Sequence, residues 1–272
     1  MPKIAFSTLA FPGASLATAV SLGRDWGYGG VELRLIDGEL IDPSMPGPAR
    51  AGVKRTVAAA GLPIIAVDSS VRLTAEDPEL ELLRFLELAS DWEAPLVRVF
   101  GGPLAAENAA RRAQLAAAAG VLEAAVPAAE RLGVAIGVET HDAFSRSSAV
   151  ASLLALVDSA WAGAVWDSHH PHRMGERPAQ VHANLAGRVL LTQVKDARPA
   201  PERDDGWQLV PLGDGEVPVR EMLALLHRSG YRGWTSVEWE KRWHPEIEEP
   251  EVALPQHHRL LDSWLRDLEE AG

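Results

Sequence analysis

The sequence predicts an α/β protein folded as a single-domain TIM (β/α)8 barrel over residues 1–272, and three observations carry that expectation. Eight short β-branched runs alternate with Ala- and Leu-rich stretches of helical spacing, the pattern of a parallel sheet covered by helices. Helical stretches end at glycines that feed the next strand: Gly61, Gly133, Gly187 and Gly230. The length of 272 residues suits eight such units, which take about 250 residues when the barrel closes. The competing architecture is an open doubly wound sheet, which usually carries a glycine-rich first turn. The segment after the first strand reads STLAFPG and contains no GxGxxG.

In order, the strands are KIAFS (3–7), GGVELR (29–34), LPIIAVDS (62–69), LVRVFGG (96–102), VAIGVE (134–139), AVWDS (164–168), VLLTQVKD (189–196) and TSVEWE (235–240). Leu80, Leu83, Leu86 and Leu88 mark the apolar side of the third helix, and Leu115, Val121, Leu122 and Val126 that of the fourth. PAPERDDG (199–206) reads as a polar loop inserted in the rim after strand seven. The helix after strand eight is expected to start near Pro255 and to end the chain. No internal repeat or low-complexity linker interrupts the alternation.

Composition narrows the class of partner. Hydrophobic residues make up 47% of the chain, an ordinary globular share. The formal charge of −12 argues against a nucleic-acid partner, because a phosphate backbone is gripped mainly by Lys and Arg. No apolar stretch approaches the roughly 20 residues of a membrane span. MPKIAFSTLAF lacks a basic segment followed by a long apolar run, so no signal peptide is expected. The absence of cysteine removes disulfides and thiolate metal sites and fits a reducing, cytoplasmic location. A small molecule is the expected partner.

Strand parity then locates a candidate site, because barrel side chains alternate between the interior and the helix layer. In strand five, Val134, Ile136 and Val138 form the branched face, which sends Ala135, Gly137 and Glu139 inward. Strand eight repeats this with Thr235 and Val237 outward and Ser236 and Glu238 inward. Strand seven carries Gln193 in phase with Val189 and Leu191, and strand six closes on Asp167. Glu32 and Arg34 end strand two, Ser69 ends strand three and Arg98 ends strand four. Glu139, Asp167, Gln193 and Glu238 therefore converge at the carboxyl mouth, where barrel enzymes place their chemistry. Three carboxylates meeting in a partly dry site need a counter-charge. A divalent metal supplies it, and all-oxygen ligation suits Mn²⁺ or Mg²⁺, with Zn²⁺ and Co²⁺ as alternatives.

At these residues the sequence resembles the sugar-phosphate isomerase/epimerase superfamily, barrels related to xylose isomerase and endonuclease IV and of the AP endonuclease family 2 type. The matching pieces are GGVELR, VRVFGG, GVETHDAFS, WDSHHPHRMGERP, TQVKDA and GYRGWTSVEWE, in that order over nearly the whole chain. The resemblance implies a divalent metal held by Glu139, Asp167, position 193 and Glu238. The family's common His at position 193 is Gln193 here, as in members similar to hydroxypyruvate isomerase and 3-dehydroshikimate dehydratase; its carbonyl can still ligate a hard metal. The resemblance also implies a substrate contact for His170, with His141 close enough to reach the mouth, and assigns Lys195 and Asp196 to the family's strand-seven KD pair. Lys195 binds a substrate oxygen or forms a rim ion pair with Asp196. Arg98 meets a carboxylate or phosphate, or pairs with Glu32 inside the barrel. Trp243 and His244 form a wall of the pocket or a contact in a homo-oligomer, while His169 and His172 read as a solvated cluster. Glu240 is a rim residue or a partner for Lys241 or Arg242.

The implied activity is an isomerase or epimerase of a small sugar, keto-sugar or hydroxy-keto acid. It works by proton transfer through a metal-stabilised enediolate, with Glu139 and Glu238 as the acid–base pair. A dehydratase or lyase, 3-dehydroshikimate dehydratase-like or C-deglycosidase-like, would use the same groups. An endonuclease IV-like nuclease would need further metal-binding histidines, whereas the ends of the first three strands offer Ser7, Glu32 and Ser69. A non-catalytic binding barrel would have lost the ligands.

Overall fold

The computed structural model describes residues 3–271. Eight parallel strands close into a barrel, each hydrogen-bonded to its neighbours in sequence: β1 (Ile4–Ser7), β2 (Gly30–Leu33), β3 (Ile64–Arg72), β4 (Leu96–Phe100), β5 (Ala135–Glu139), β6 (Ala162–Asp167), β7 (Val189–Val194) and β8 (Thr235–Val237). Around it run α1 (Leu16–Asp25), α2 (Gly47–Ala59), α3 (Glu79–Asp91), α4 (Asn108–Leu132), α5 (Ser147–Leu154), the short α6 (His169–Arg173), α7 (Pro178–Leu185), α8 (Val219–Arg228) and α9 (Pro250–Ala271).

Strand parity builds two separate apolar layers. Outward residues such as Val31, Leu33, Val97, Val99, Ile136, Val138 and Val237 join the large cluster shared with the helices. Inward residues Ala5, Ile65, Ala66, Leu96, Val165 and Leu191 form a second, smaller cluster that plugs the barrel. This plug is full. A Cβ on inward Gly137 would come within 2.6 Å of Val165 Cγ2, and one on Gly30 within 2.6 Å of Ile65 Cγ2. With the floor packed, the polar inward residues are left to the mouth.

Several boundaries differ from expectation. β3 runs on to Arg72 because a register shift between Asp68 and Arg72 lets it continue along β4. Ser69 serves that irregularity: its Oγ donates to the Arg98 carbonyl at 2.7 Å and accepts from Val71 N at 3.2 Å. β8 stops at Val237. PAPERDDG is the turn of a hairpin pairing Asp196–Pro199 with Trp207–Val210, and a second small hairpin joins Leu35–Ile36 to Glu39–Leu40. α9 starts at Pro250 rather than near Pro255, which lies inside it; its first N–H bonds run to Glu249 O, and a proline in the second turn costs it only one further bond. In α3 the buried stripe is Leu82, Phe85, Leu86, Leu88 and Ala89, whereas Leu80 is 60% exposed. The stripe thus starts two residues later than the leucine spacing suggests.

Candidate functional site

Strands β2 to β8 each deliver a polar side chain just above the plug. Glu32 comes from β2, Asp68 from β3, Arg98 from β4, Glu139 from β5, Asp167 from β6 and Gln193 from β7, with Glu238 directly after β8, and all are buried. Parallel register sets the neighbours: Asp68 lies opposite Arg98, and Asp167 opposite Gln193. Arg34, Lys195 and Glu240 complete the ring, so six carboxylates face three cations.

These charges sort into two clusters. Arg98 Nε lies 3.1 Å from Glu139 Oε2 and its Nη2 3.4 Å from Asp68 Oδ2. Its Nη1 donates to the Ser69 carbonyl at 2.9 Å, and its guanidinium sits 4.1 Å from the Phe100 ring centre. The expected partner Glu32 is not used. A register shift beside it pairs Glu32 with Ala66, and its Oε1 instead accepts from Gln193 Nε2 at 2.8 Å. In the second cluster, Lys195 Nζ lies 2.6 Å from Glu238 Oε2 and 3.1 Å from Asp167 Oδ2, and it also contacts Glu240. The expected Lys195–Asp196 pair does not form, because alternation turns Asp196 away. Its carboxylate instead accepts from the backbone N–H groups of Ala197, Gly213, Gly215 and Val217. Glu240 likewise pairs with Lys195 and His244 rather than with Lys241, whose ammonium meets Glu249 and the carbonyls of Pro245 and Ile247.

The histidines form one wall. His170, on α6, places Nε2 3.9 Å from both Glu139 Oε1 and Asp167 Oδ1. Both of its ring nitrogens are buried without a hydrogen-bond partner. Burial, helped by nearby Lys195, holds it well below the usual imidazole range, so the ring is neutral. The backbone N–H groups of His169 and His170 each donate to Asp167 Oδ1 at 2.8 Å, which fixes that carboxylate. His141 packs its ring against Phe100 and edge-on to His170, with Nδ1 2.9 Å from Asp142 Oδ1. His169 is not solvated: it is buried edge-on to Trp207, and burial pushes it down to about 3. His172 is half-buried against the same indole. His244 Nδ1 lies 3.2 Å from Arg203 Nη2, which ties the hairpin turn to the loop after β8.

Two cavities open at the mouth and share His141 and Glu240. The first, of about 50 Å³, is bounded by Arg34, Arg98, Phe100, Glu139, Glu238 and Trp243. The second, of about 210 Å³, is bounded by His169, His170, Arg173, Trp207 and His244. Trp243 is 49% exposed, at the outer edge of the first.

The donor set fits a hard divalent cation. One carboxylate oxygen from each of Glu139, Asp167 and Glu238 lies within 4.8 Å of the others. The Gln193 amide nitrogen is committed to Glu32 at 2.8 Å and Glu238 at 3.3 Å, which leaves its carbonyl oxygen buried and without a partner. Burial pushes the carboxyls of Glu32, Asp68 and Asp167 up, and that of Glu139 up to about 7 against the pull of Arg98. A bound cation would offset that burial cost by stabilising the ionised carboxylates. A second grouping, Glu139 with His141 and His170, has ligand atoms equally close.

A sequence profile of the xylose isomerase-like TIM barrel matches residues 20–266. The chain belongs to the xylose isomerase-like TIM barrel family. No curated protein gives a match. Among solved structures, it is similar to a xylose isomerase domain protein from Planctomyces limnophilus, with 20% identity, a TM-score of 0.79 and 99% of each chain covered. It is also similar to the IOLI protein with a bound zinc atom, with 16% identity, a TM-score of 0.80 and coverage of 98% of this chain and 99% of that one. A third is the probable 3-DHS dehydratase AsbF from Bacillus anthracis, with 16% identity, a TM-score of 0.76 and coverage of 96% and 98%. At these identities the likeness is one of fold.

Three contacts at this xylose isomerase-like mouth were not anticipated from sequence: Asp68 with Arg98, Glu240 with Lys195, and Trp207 with the histidines. Asp68 carried a usable signal, since it follows branched, outward Val67 and lies in phase with Ala66. Glu240 and Trp207 lie outside the barrel strands, where parity says nothing.

Proposed function

We propose that the protein is a divalent-metal-dependent isomerase or epimerase acting on a small sugar, keto-sugar or hydroxy-keto acid by proton transfer at a carbon next to a carbonyl. The observation that carries this reading is the convergence of Glu139, Asp167 and Glu238 within 4.8 Å beside the unpartnered Gln193 carbonyl. Glu139, Asp167, Gln193 and Glu238 would hold the metal, whose Lewis acidity would polarise adjacent substrate oxygens. Glu139 takes or returns the proton on one side of the substrate carbon, and Glu238 serves the other. Neutral His170, wedged against Glu139 and Asp167, can donate to or accept from a substrate oxygen. Asp167, held by two backbone N–H groups, only ligates. Lys195 aims the Glu238 carboxylate.

A metal-dependent dehydratase is the second reading. It is favoured by the fold likeness to the probable 3-DHS dehydratase and by His170, which could protonate a departing hydroxyl. One experiment separates the two. The protein is stripped with EDTA, reloaded with Mn²⁺, assayed for metal, and incubated in deuterated water with ketoses, hydroxypyruvate and keto-inositols. Deuterium appearing next to the carbonyl of an isomerised product supports the isomerase, and an unsaturated product supports the dehydratase. Absence of both metal uptake and exchange across the panel sinks the proposal.

A further inference from the structure

Of the three cations at the mouth, two are consumed by carboxylates. Arg98 is held by Asp68 and Glu139, and Lys195 by Asp167, Glu238 and Glu240. Arg34 is different. Its Nη1 donates to the Asp68 carbonyl at 3.2 Å and to Ser70 Oγ at 3.0 Å, and among the described residues no carboxylate pairs with it. Its Nε and Nη2 make no hydrogen bond to the described protein, although the residue is only 7% exposed and borders the 50 Å³ cavity that also holds Glu139 and Glu238. Burial and the neighbouring Arg98 bring it down to about 10, so it is still charged at neutral pH.

The backbone that presents the guanidinium is also fixed. Thr8 Oγ1 accepts from the backbone N–H groups of Arg34 at 2.9 Å and Leu35 at 2.8 Å, and the Phe100 ring centre lies 5.8 Å from the guanidinium carbon. A buried cation without a counter-ion costs stability. A rigid, vacant Nε/Nη2 edge matches the two oxygens of a planar carboxylate better than it matches separate hydroxyls. The cavity is small, so an anion seated on Arg34 lies only a few atoms from carbons between Glu139 and Glu238.

We infer that Arg34 receives a carboxylate on the substrate, which makes that substrate a short hydroxy-keto acid rather than a neutral ketose. This deepens the isomerase reading and rests on it for the position of the reacting carbons.

Hydroxypyruvate and dihydroxyacetone test it directly, because they differ only in a carboxylate against a hydroxymethyl group. Dihydroxyacetone phosphate tests the other oxyanion. Calorimetric titration of Mn²⁺-loaded protein should show hydroxypyruvate binding at least about tenfold tighter than dihydroxyacetone. Arg34→Met should bring the ratio close to one, and Arg34→Lys, which keeps the charge without the fork, should restore part of it. Circular dichroism and bound Mn²⁺ are measured on each variant, and Arg34→Lys decides if Arg34→Met does not fold. A ratio near one in the wild type, a ratio unchanged in the variants, or tighter binding of the phosphate overturns the inference. Failure of the metal reading appears separately as loss of Mn²⁺ uptake. The same titrations on EDTA-treated protein then still report whether Arg34 sets the carboxylate preference.

Discussion

Arg98 and Lys195 sit on opposite sides of the same mouth, both almost wholly buried, and both neutralise carboxylates. Arg98 is part of the wall. It bonds a main-chain carbonyl, lies over Phe100, and besides the proposed ligand Glu139 binds Asp68, a residue outside the proposed metal shell. Behind it the fit is close, since a Cβ on Gly101 would fall 2.0 Å from the Phe144 ring. Lys195 is a point charge on a flexible stem, and two of its three partners, Asp167 and Glu238, are proposed metal ligands. One cation therefore belongs to the scaffold, and the other shares its job with the metal.

Substitutions can break this contrast. The largest effect should come from Glu238→Gln, which keeps the shape but removes a charge, a ligand and a proton carrier. Turnover on an identified substrate should fall at least about 1,000-fold with an unchanged circular dichroism spectrum, and near-normal turnover would remove Glu238 from the mechanism. Next is Arg98→Met, which strands Asp68 and Glu139 and should cost about 3–5 kcal/mol in urea denaturation. Added Mn²⁺ should recover little of it, because Asp68 remains unpaired. Lys195→Met should cost a similar amount in EDTA but regain most of it with Mn²⁺. Equal rescue of both variants would show that the two cations are equivalent.

The walls behind the clusters differ in titration as well. Behind β8, the buried His257 packs edge-on to Trp239 and holds Ala253 O through Nδ1. Burial lowers it to about 4 from an ordinary value of 6.5. The unfolded chain thus binds the proton first, and stability should fall as pH drops from 6.5 towards 4, by on the order of 3 kcal/mol at most. His257→Gln should flatten the pH–stability curve in that window. The smallest effect is expected at Arg203, whose pair with Glu246 at the rim is partly exposed. Arg203→Ala should change stability by about 1 kcal/mol or less in the same denaturation assay.

The barrel was legible because strands such as β5 write their outward face in branched residues, so Val134, Ile136 and Val138 fix the inward direction of Glu139. The same parity placed Asp167, Gln193 and Glu238. Pairing between strands was not legible. The choice of Asp68 over Glu32 for Arg98 depends on register shifts beside Glu32 and beyond Asp68, and backbone hydrogen bonding decides those. The Lys195–Glu240 contact needs the chain to leave β8 after Val237 and fold back over the mouth, a turn made outside any repeating pattern.

The hairpin after β7 has its own consequence through Asp196. One carboxylate gathers four backbone N–H groups at the hairpin's root, and a Cβ on Gly215 would lie 2.2 Å from its Oδ1, so that root accepts no other residue at position 215 without moving. The tip at 200–206 is tied to the loop after β8 only at a partly exposed point, through Arg203 to His244 and Glu246. The root acts as a socket and the tip as an exchangeable insert, so loop grafting there should reshape the rim over His169 and Trp207 while the barrel stays as it is.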